Sequence, residues 1–237
     1  MKNKKIRIIT NVLIGIIIIS ICLISFKDKG SVTISSTNGY KAYYNGSESS
    51  GGVALMFNVY ENTQIVEEIM RVLVKNQASA TFFVGGCWAD DNEKTLKAII
   101  NSGFELGNHG YFHKDHNKIS QSENKNEIAN CHKIIRSLTG YNTVLFAPPS
   151  GSFSKVTLAV CAELNYKTIM WSKDTIDWRD SDKNLIIKRA TNGVKSGDLI
   201  LMHPKRHTLD ALQSIIDEIK SKNLKLLTVS ECCEFNA

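Results

Sequence analysis

From residue 53 onward, short apolar runs alternate with longer stretches whose apolar residues recur every three or four positions. The runs at 53–57, 80–84, 104–106, 143–146, 167–171, 199–202 and 224–228 predict seven strands, several of them apolar on both faces as buried parallel strands are. Between them, 63–75, 93–101, 123–138, 155–164, 183–194 and 209–221 carry helical spacing and predict six helices. Ser120 with Glu123, and Asp90 with Glu93, fit the capping-box pattern ahead of two of these helices. Regular β-then-α order favours a parallel sheet with right-handed crossovers, hence a (β/α) barrel or a doubly wound sheet. No glycine-rich phosphate loop follows the first strand, so the nucleotide-binding version loses ground.

The amino-terminal part reads differently. Residues 8–26 are almost wholly apolar, with Lys2, Lys4, Lys5 and Arg7 before them and Lys27, Asp28 and Lys29 after. A helix of about 17–25 residues crosses a bilayer core, and the run is longer than the usual h-region of a cleaved signal peptide. An uncleaved signal anchor is therefore expected over 1–30, with cleavage as the competing reading. The positive-inside rule puts the amino terminus in the cytoplasm and everything after Gly30 outside the cell membrane. Residues 31–52, rich in Ser, Gly, Thr, Asn and Tyr, read as a stalk, and 53–237 as one globular domain. The formal net charge is +6, but the four basic residues of the amino-terminal tip supply most of it, which argues against nucleic acid as a partner. Cys87, Cys131, Cys161, Cys232 and Cys233 lack metal-finger spacing and define no disulfide framework.

In either architecture functional residues gather at the carboxyl ends of the strands. Those positions hold Asn58, then His109 and His113, then the turn Ala147-Pro148-Pro149-Ser150-Gly151, then Asp174, Asp177 and Trp178, then His203. His109 and His113 stand four apart; on a helical turn both imidazoles would project to one side and could share a Zn²⁺. Two unrelated surface histidines would give the same spacing. His116 is a further ligand candidate or a solvent-facing histidine. His203, after an apolar strand and before Pro204, could act as a general acid or be a packed histidine bonded to backbone. Asp174 and Asp177 could orient it, or cap the next helix. The Pro-Pro-Ser-Gly turn could line a groove or be a plain turn.

In order, these segments resemble the five motifs of the polysaccharide deacetylases, the NodB-homology or carbohydrate esterase family 4 group. Asn108-His109-Gly110-Tyr111-Phe112-His113 resembles the second motif, Asp174-Thr175-Ile176-Asp177-Trp178 the fourth, and Leu201-Met202-His203 the fifth; Ala80-Thr81-Phe82-Phe83-Val84 resembles a segment between the first two. The resemblance implies a distorted (β/α)₇ barrel, here preceded by a transmembrane helix. It further implies a divalent metal, zinc foremost, held by His109 and His113, which polarises an N-acetyl carbonyl and a water, with His203 protonating the leaving amine. The substrate implied is cell-wall glycan of N-acetylglucosamine type, peptidoglycan or a chitin-like oligomer, with Pro149, Ser150, Asp177 and Trp178 as substrate-binding residues. The first motif departs: Asn58 and Val59 stand where the family has two aspartates, a base and a metal ligand. In the third motif, Ala147 replaces the expected arginine and Ser150 the expected tyrosine. Glu61, Asp174 and Asp177 are the carboxylates from which a substitute base could come. The chain is thus expected to be a metal-dependent polysaccharide deacetylase with a rebuilt site, or else an inactive glycan-binding module that kept the groove.

Overall fold

The structure, a computed structural model, describes residues 40–235. The expected anchor at 8–26 and residues 31–39 of the expected stalk lie outside these residues; among the described residues no helix is long and apolar enough to cross a membrane.

The chain forms β1 (Ala42–Tyr43), β2 (Gly52–Val59), α1 (Thr63–Lys75), β3 (Thr81–Val84), α2 (Gly86–Asp91), α3 (Glu93–Asn101), β4 (Glu105–Asn108), α4 (Gln121–Thr139) and β5 (Leu145–Phe146). It continues with α5 (Lys155–Glu163), β6 (Lys167–Ile169), β7 (Lys173–Asp174), α6 (Lys183–Thr191), β8 (Leu199–Met202), α7 (Arg206–Ser221), β9 (Lys225–Leu227) and α8 (Val229–Cys232). All nine strands pair in parallel, in the order β1-β6-β5-β4-β3-β2-β8-β7, with β9 against the start of β2.

The seven expected strands are all present, and β1 and β7 are added. The expected distorted (β/α)₇ barrel takes the form of a parallel sheet that curls without closing. β6 and β7 lie six ladder steps apart in the order, about 29 Å if the sheet were flat at ~4.8 Å per strand. Only residues 170–172 join them, and four Cα steps of extended chain reach about 14 Å. The sheet therefore bends until its two ends nearly meet, a half-barrel with helices around it.

β2 sits at the centre, all eight residues buried, with β8 on one edge and β3 and β9 sharing the other. The period of two sorts its side chains. Val53, Leu55, Phe57 and Val59 join the larger core against the helices, where Phe57 stacks on Phe82 with ring centroids 5.2 Å apart. Ala54 and Met56 turn into the smaller core inside the curl, with Phe83, Leu145, Ala147, Ile169, Leu199 and Leu201. Asn58 follows in that inward series at the carboxyl end of the strand.

Two expectations need correction. Asp90 does not cap a helix: it lies in α2, and α3 starts after Asn92 with no side-chain cap, whereas the Ser120–Glu123 capping box forms as expected. The assignment of 31–52 to a stalk fails for 42–52, because β1 extends the sheet beside β6, Gly46 donates to the Gly197 carbonyl at 2.7 Å, and Ser47 to that of Cys232 at 2.7 Å. A Cβ added at Gly46 would come within 2.3 Å of the Cys232 backbone oxygen. Gly46→Ala is thus expected to destabilise the domain by roughly 1–3 kcal/mol in denaturant unfolding, where the same change in a solvated stalk would have no measurable effect.

Candidate functional site

The curl brings the carboxyl ends of the strands to one rim around a cleft of roughly 270 Å³. Asn58 and Tyr60 close β2, His109 and His113 follow β4, Ser150 and Gly151 follow β5, Trp171 follows β6, Asp174 and Trp178 belong to β7 and its loop, and Leu201 and His203 close β8. The cleft therefore gathers Asn58, His109, His113, Ser150, Asp174, Trp178 and His203 of the residues expected from sequence. Gly151 belongs to the turn expected to line a groove, whereas Tyr60, Trp171 and Leu201 were missed as lining residues. Trp171 carried a signal, an indole at the end of an apolar strand, but as a strand residue it read as core.

His109 and His113 meet without a helix. The segment after β4 is a loop in which Gly110 (φ 74°) and His113 (φ 55°) take left-handed backbone, and the two rings lie 5.0 Å apart edge to face. The loop is held from beneath. Asn108 accepts from the Gly110 N–H at 2.9 Å and donates to the Ile128 carbonyl at 2.8 Å, and buried Glu127 accepts from the Phe112 N–H at 2.8 Å. His116 is neither solvent-facing nor in the cleft lining: it is fully buried, with Nδ1 bonded to Asn124 Oδ1 at 2.7 Å and Nε2 unpartnered. His109 is buried too, and its Nδ1 meets the Ala147 carbonyl at 2.7 Å, which turns the other ring nitrogen away from the backbone.

Of the two aspartates expected to orient His203, Asp177 alone does so. Asp177, which the resemblance also set among the substrate-binding residues, is 1% exposed and lies beneath His203, accepting from its Nδ1, from its backbone N–H and from the Thr208 hydroxyl, each at 2.7 Å. That pairing fixes the His203 ring and leaves Nε2 as its free nitrogen. Asp174, expected to act on His203, instead lines the cleft and accepts from the Ile176 N–H at 2.7 Å. The bond holds Ile176 at φ 55°, unusual for a β-branched residue, and Ser150 on the facing turn also sits at φ 55°. Glu61 is ion-paired with Lys205 and is not among the lining residues. Pro149 is buried behind the rim rather than exposed to a ligand.

The donor set does not fit the metal that the resemblance implies. Catalytic zinc takes three protein ligands. Here Val59 packs in the helix-facing core, Asn58 offers a neutral amide whose Oδ1 is enclosed without a donor, and the Tyr60 ring lies 4.2 Å from that of His113. Among the described residues no three His, Cys, Asp or Glu side chains are placed to hold an ion.

Burial first, and then the like charge of His113, holds the His109 pKa well below the ordinary histidine range; burial also lowers those of His113 and His116. An unfolded chain would protonate these imidazoles near pH 6.5, so below that pH the unfolded state binds more protons and stability falls. Denaturant midpoints are expected to drop as pH goes from about 7 to 5, each refused proton contributing up to ~1.4 kcal/mol per pH unit. His116→Asn, which can keep a donor toward Asn124, is expected to make that slope shallower.

The polysaccharide deacetylase family model matches residues 45–169, over half of the chain. The uncharacterized protein YlxY of Bacillus subtilis is 35% identical over 79% of this chain, which spans only 59% of that relative's length. A peptidoglycan-N-acetylglucosamine deacetylase of Bacillus cereus is 30% identical, over 85% of this chain and 76% of its own. Among solved structures, a CE4 family pseudoenzyme from Bacillus anthracis superposes with a TM-score of 0.78 at 30% identity, covering 81% of this chain and 68% of that one. The fold, the ordered motifs on one rim and these matches agree: the chain belongs to the polysaccharide deacetylase family.

Proposed function

We propose that this protein binds cell-wall glycan of N-acetylglucosamine type, such as peptidoglycan, in the deacetylase cleft without hydrolysing it. The observation that carries this reading is the chemistry around the His109–His113 pair: Asn58 has no proton affinity to serve as a base, and Val59 turns away into the core. Of the candidate substitute bases, Asp177 is committed to His203 and Glu61 to Lys205. The aromatic walls remain. Tyr60 is 40% and Trp178 54% exposed, and with Trp171 they offer flat apolar faces to a sugar ring. The peptidoglycan named for the Bacillus cereus relative, and the pseudoenzyme among the structural neighbours, support it. Anchoring of residues 8–26 in the cell membrane, with the domain outside, would set the cleft beside the wall.

A second reading keeps hydrolysis. Asp174 lines the same cleft as both histidines, and His203 retains its buried aspartate, so a hydrolase using Asp174 as base would have its base and its acid on one rim but would need a further ligand to hold a metal.

Acetate release and binding, measured on the full-length chain in mild detergent with N-acetylglucosamine oligomers and peptidoglycan fragments, separate the two. Binding without release, with or without Zn²⁺, and weakened about two- to tenfold by Trp178→Ala, is expected. Zinc-dependent release that His113→Ala abolishes would establish the hydrolase instead.

A further inference from the structure

We propose that the cleft reads the free amine of a deacetylated sugar, a glucosamine residue within the glycan, in preference to the N-acetyl form. The inference rests on the glycan-binding reading and concerns which glycan is held. The cleft has the parts of a cation cage: three aromatic rings, Tyr60, Trp171 and Trp178, around one carboxylate, Asp174. Aromatic faces attract an ammonium group through the ring quadrupole, and a carboxylate supplies the countercharge. No lysine or arginine is among the residues lining it.

The cations of adjacent segments are already engaged. Lys205 pairs with Glu61; Arg179 donates to both oxygens of Asp180 at 2.9 and 3.1 Å and lies over Trp178, its guanidinium carbon 5.7 Å from the ring centre. Asp174 accepts from Ile176 through Oδ1, and among the described residues no donor reaches its second oxygen. His109, engaged through Nδ1 with the Ala147 carbonyl, adds a ring nitrogen as a further acceptor. Donors on the rim, the Asn58 amide and the Ser150 and Tyr60 hydroxyls, can serve an acetamide carbonyl, so the preference comes from charge: only the ammonium brings a cation that Asp174 and the aromatic faces attract. The cleft is thus matched to the product of N-deacetylation, and the class of reaction that must supply its ligand is the hydrolysis that active members of this family perform.

The test is calorimetric titration of the full-length chain, in mild detergent at low salt, with a fully deacetylated glucosamine tetramer and with the N-acetylglucosamine tetramer. The deacetylated tetramer is expected to bind about tenfold more tightly. Asp174→Asn, which keeps an oxygen for the Ile176 N–H, is expected to bring the two affinities within about twofold of each other. Equal affinities in the wild-type chain, or tighter binding of the acetylated tetramer, would overturn this inference and leave the glycan-binding reading standing. Binding of neither tetramer would overturn both. A preference that Asp174→Asn leaves intact would place the amine elsewhere and also overturn it.

Discussion

Three residues join strands that the hydrogen-bonded ladder places six steps apart, and this short covalent link forces the geometry of the rest. A flat sheet would separate Trp171 and Asp174 from the histidines that follow β4. With the sheet curled, its concave side must be filled by residues alternating along each strand, and the last inward positions become the walls of a cleft. The buried rows beneath are apolar because two layers, the helices outside and the small core inside, must both be dehydrated. The polar residues of the cleft stand at the carboxyl ends of the strands, where the inward apolar series stops.

On that rim Asp177 grips His203 at ring and backbone, a bond between buried groups that would be expensive to leave half-made. The positions that depart from the family's motifs are mutually consistent: Asn58 is neutral, Val59 is absorbed in the core, and the Ala147 side chain packs inside the curl while its carbonyl serves His109. The resemblance expects an arginine at Ala147 and an acidic base at Asn58, groups of opposite charge. Losing both charges together avoids the unpaired buried ion that losing either would leave.

Much of this was legible in the sequence, and the failures have physical causes. Helices α1 and α3 follow the apolar period residue for residue, because each buries one stripe on the sheet. β1 and β7, of two residues each, are too short to show any period, and α2 opens on Gly86 with too few turns to show one. The rim positions were readable because strand ends are fixed by where apolar runs stop. Their roles were less so. Whether Asp174 or Asp177 faces the cleft depends on the left-handed turn at Ile176, which spacing does not encode. His116 reads as polar, yet the fold encloses it behind Gly110 and gives it Asn124.

Depth alone does not divide the groups: Asn58, Val59 and Ala147 are buried, but so are His109, Asp177 and His203, while Tyr60 and Trp178 stand exposed at the mouth and Asp174 lies between. Recognition of a sugar draws on the mouth, through stacking and one charge, and hydrolysis draws on the floor, through a base and a bound ion. The two sets share almost no atoms, so the floor can change while the mouth keeps its ligand class. Asp174 belongs to both by position, which makes this one carboxylate the residue on which binding and any remaining chemistry are coupled.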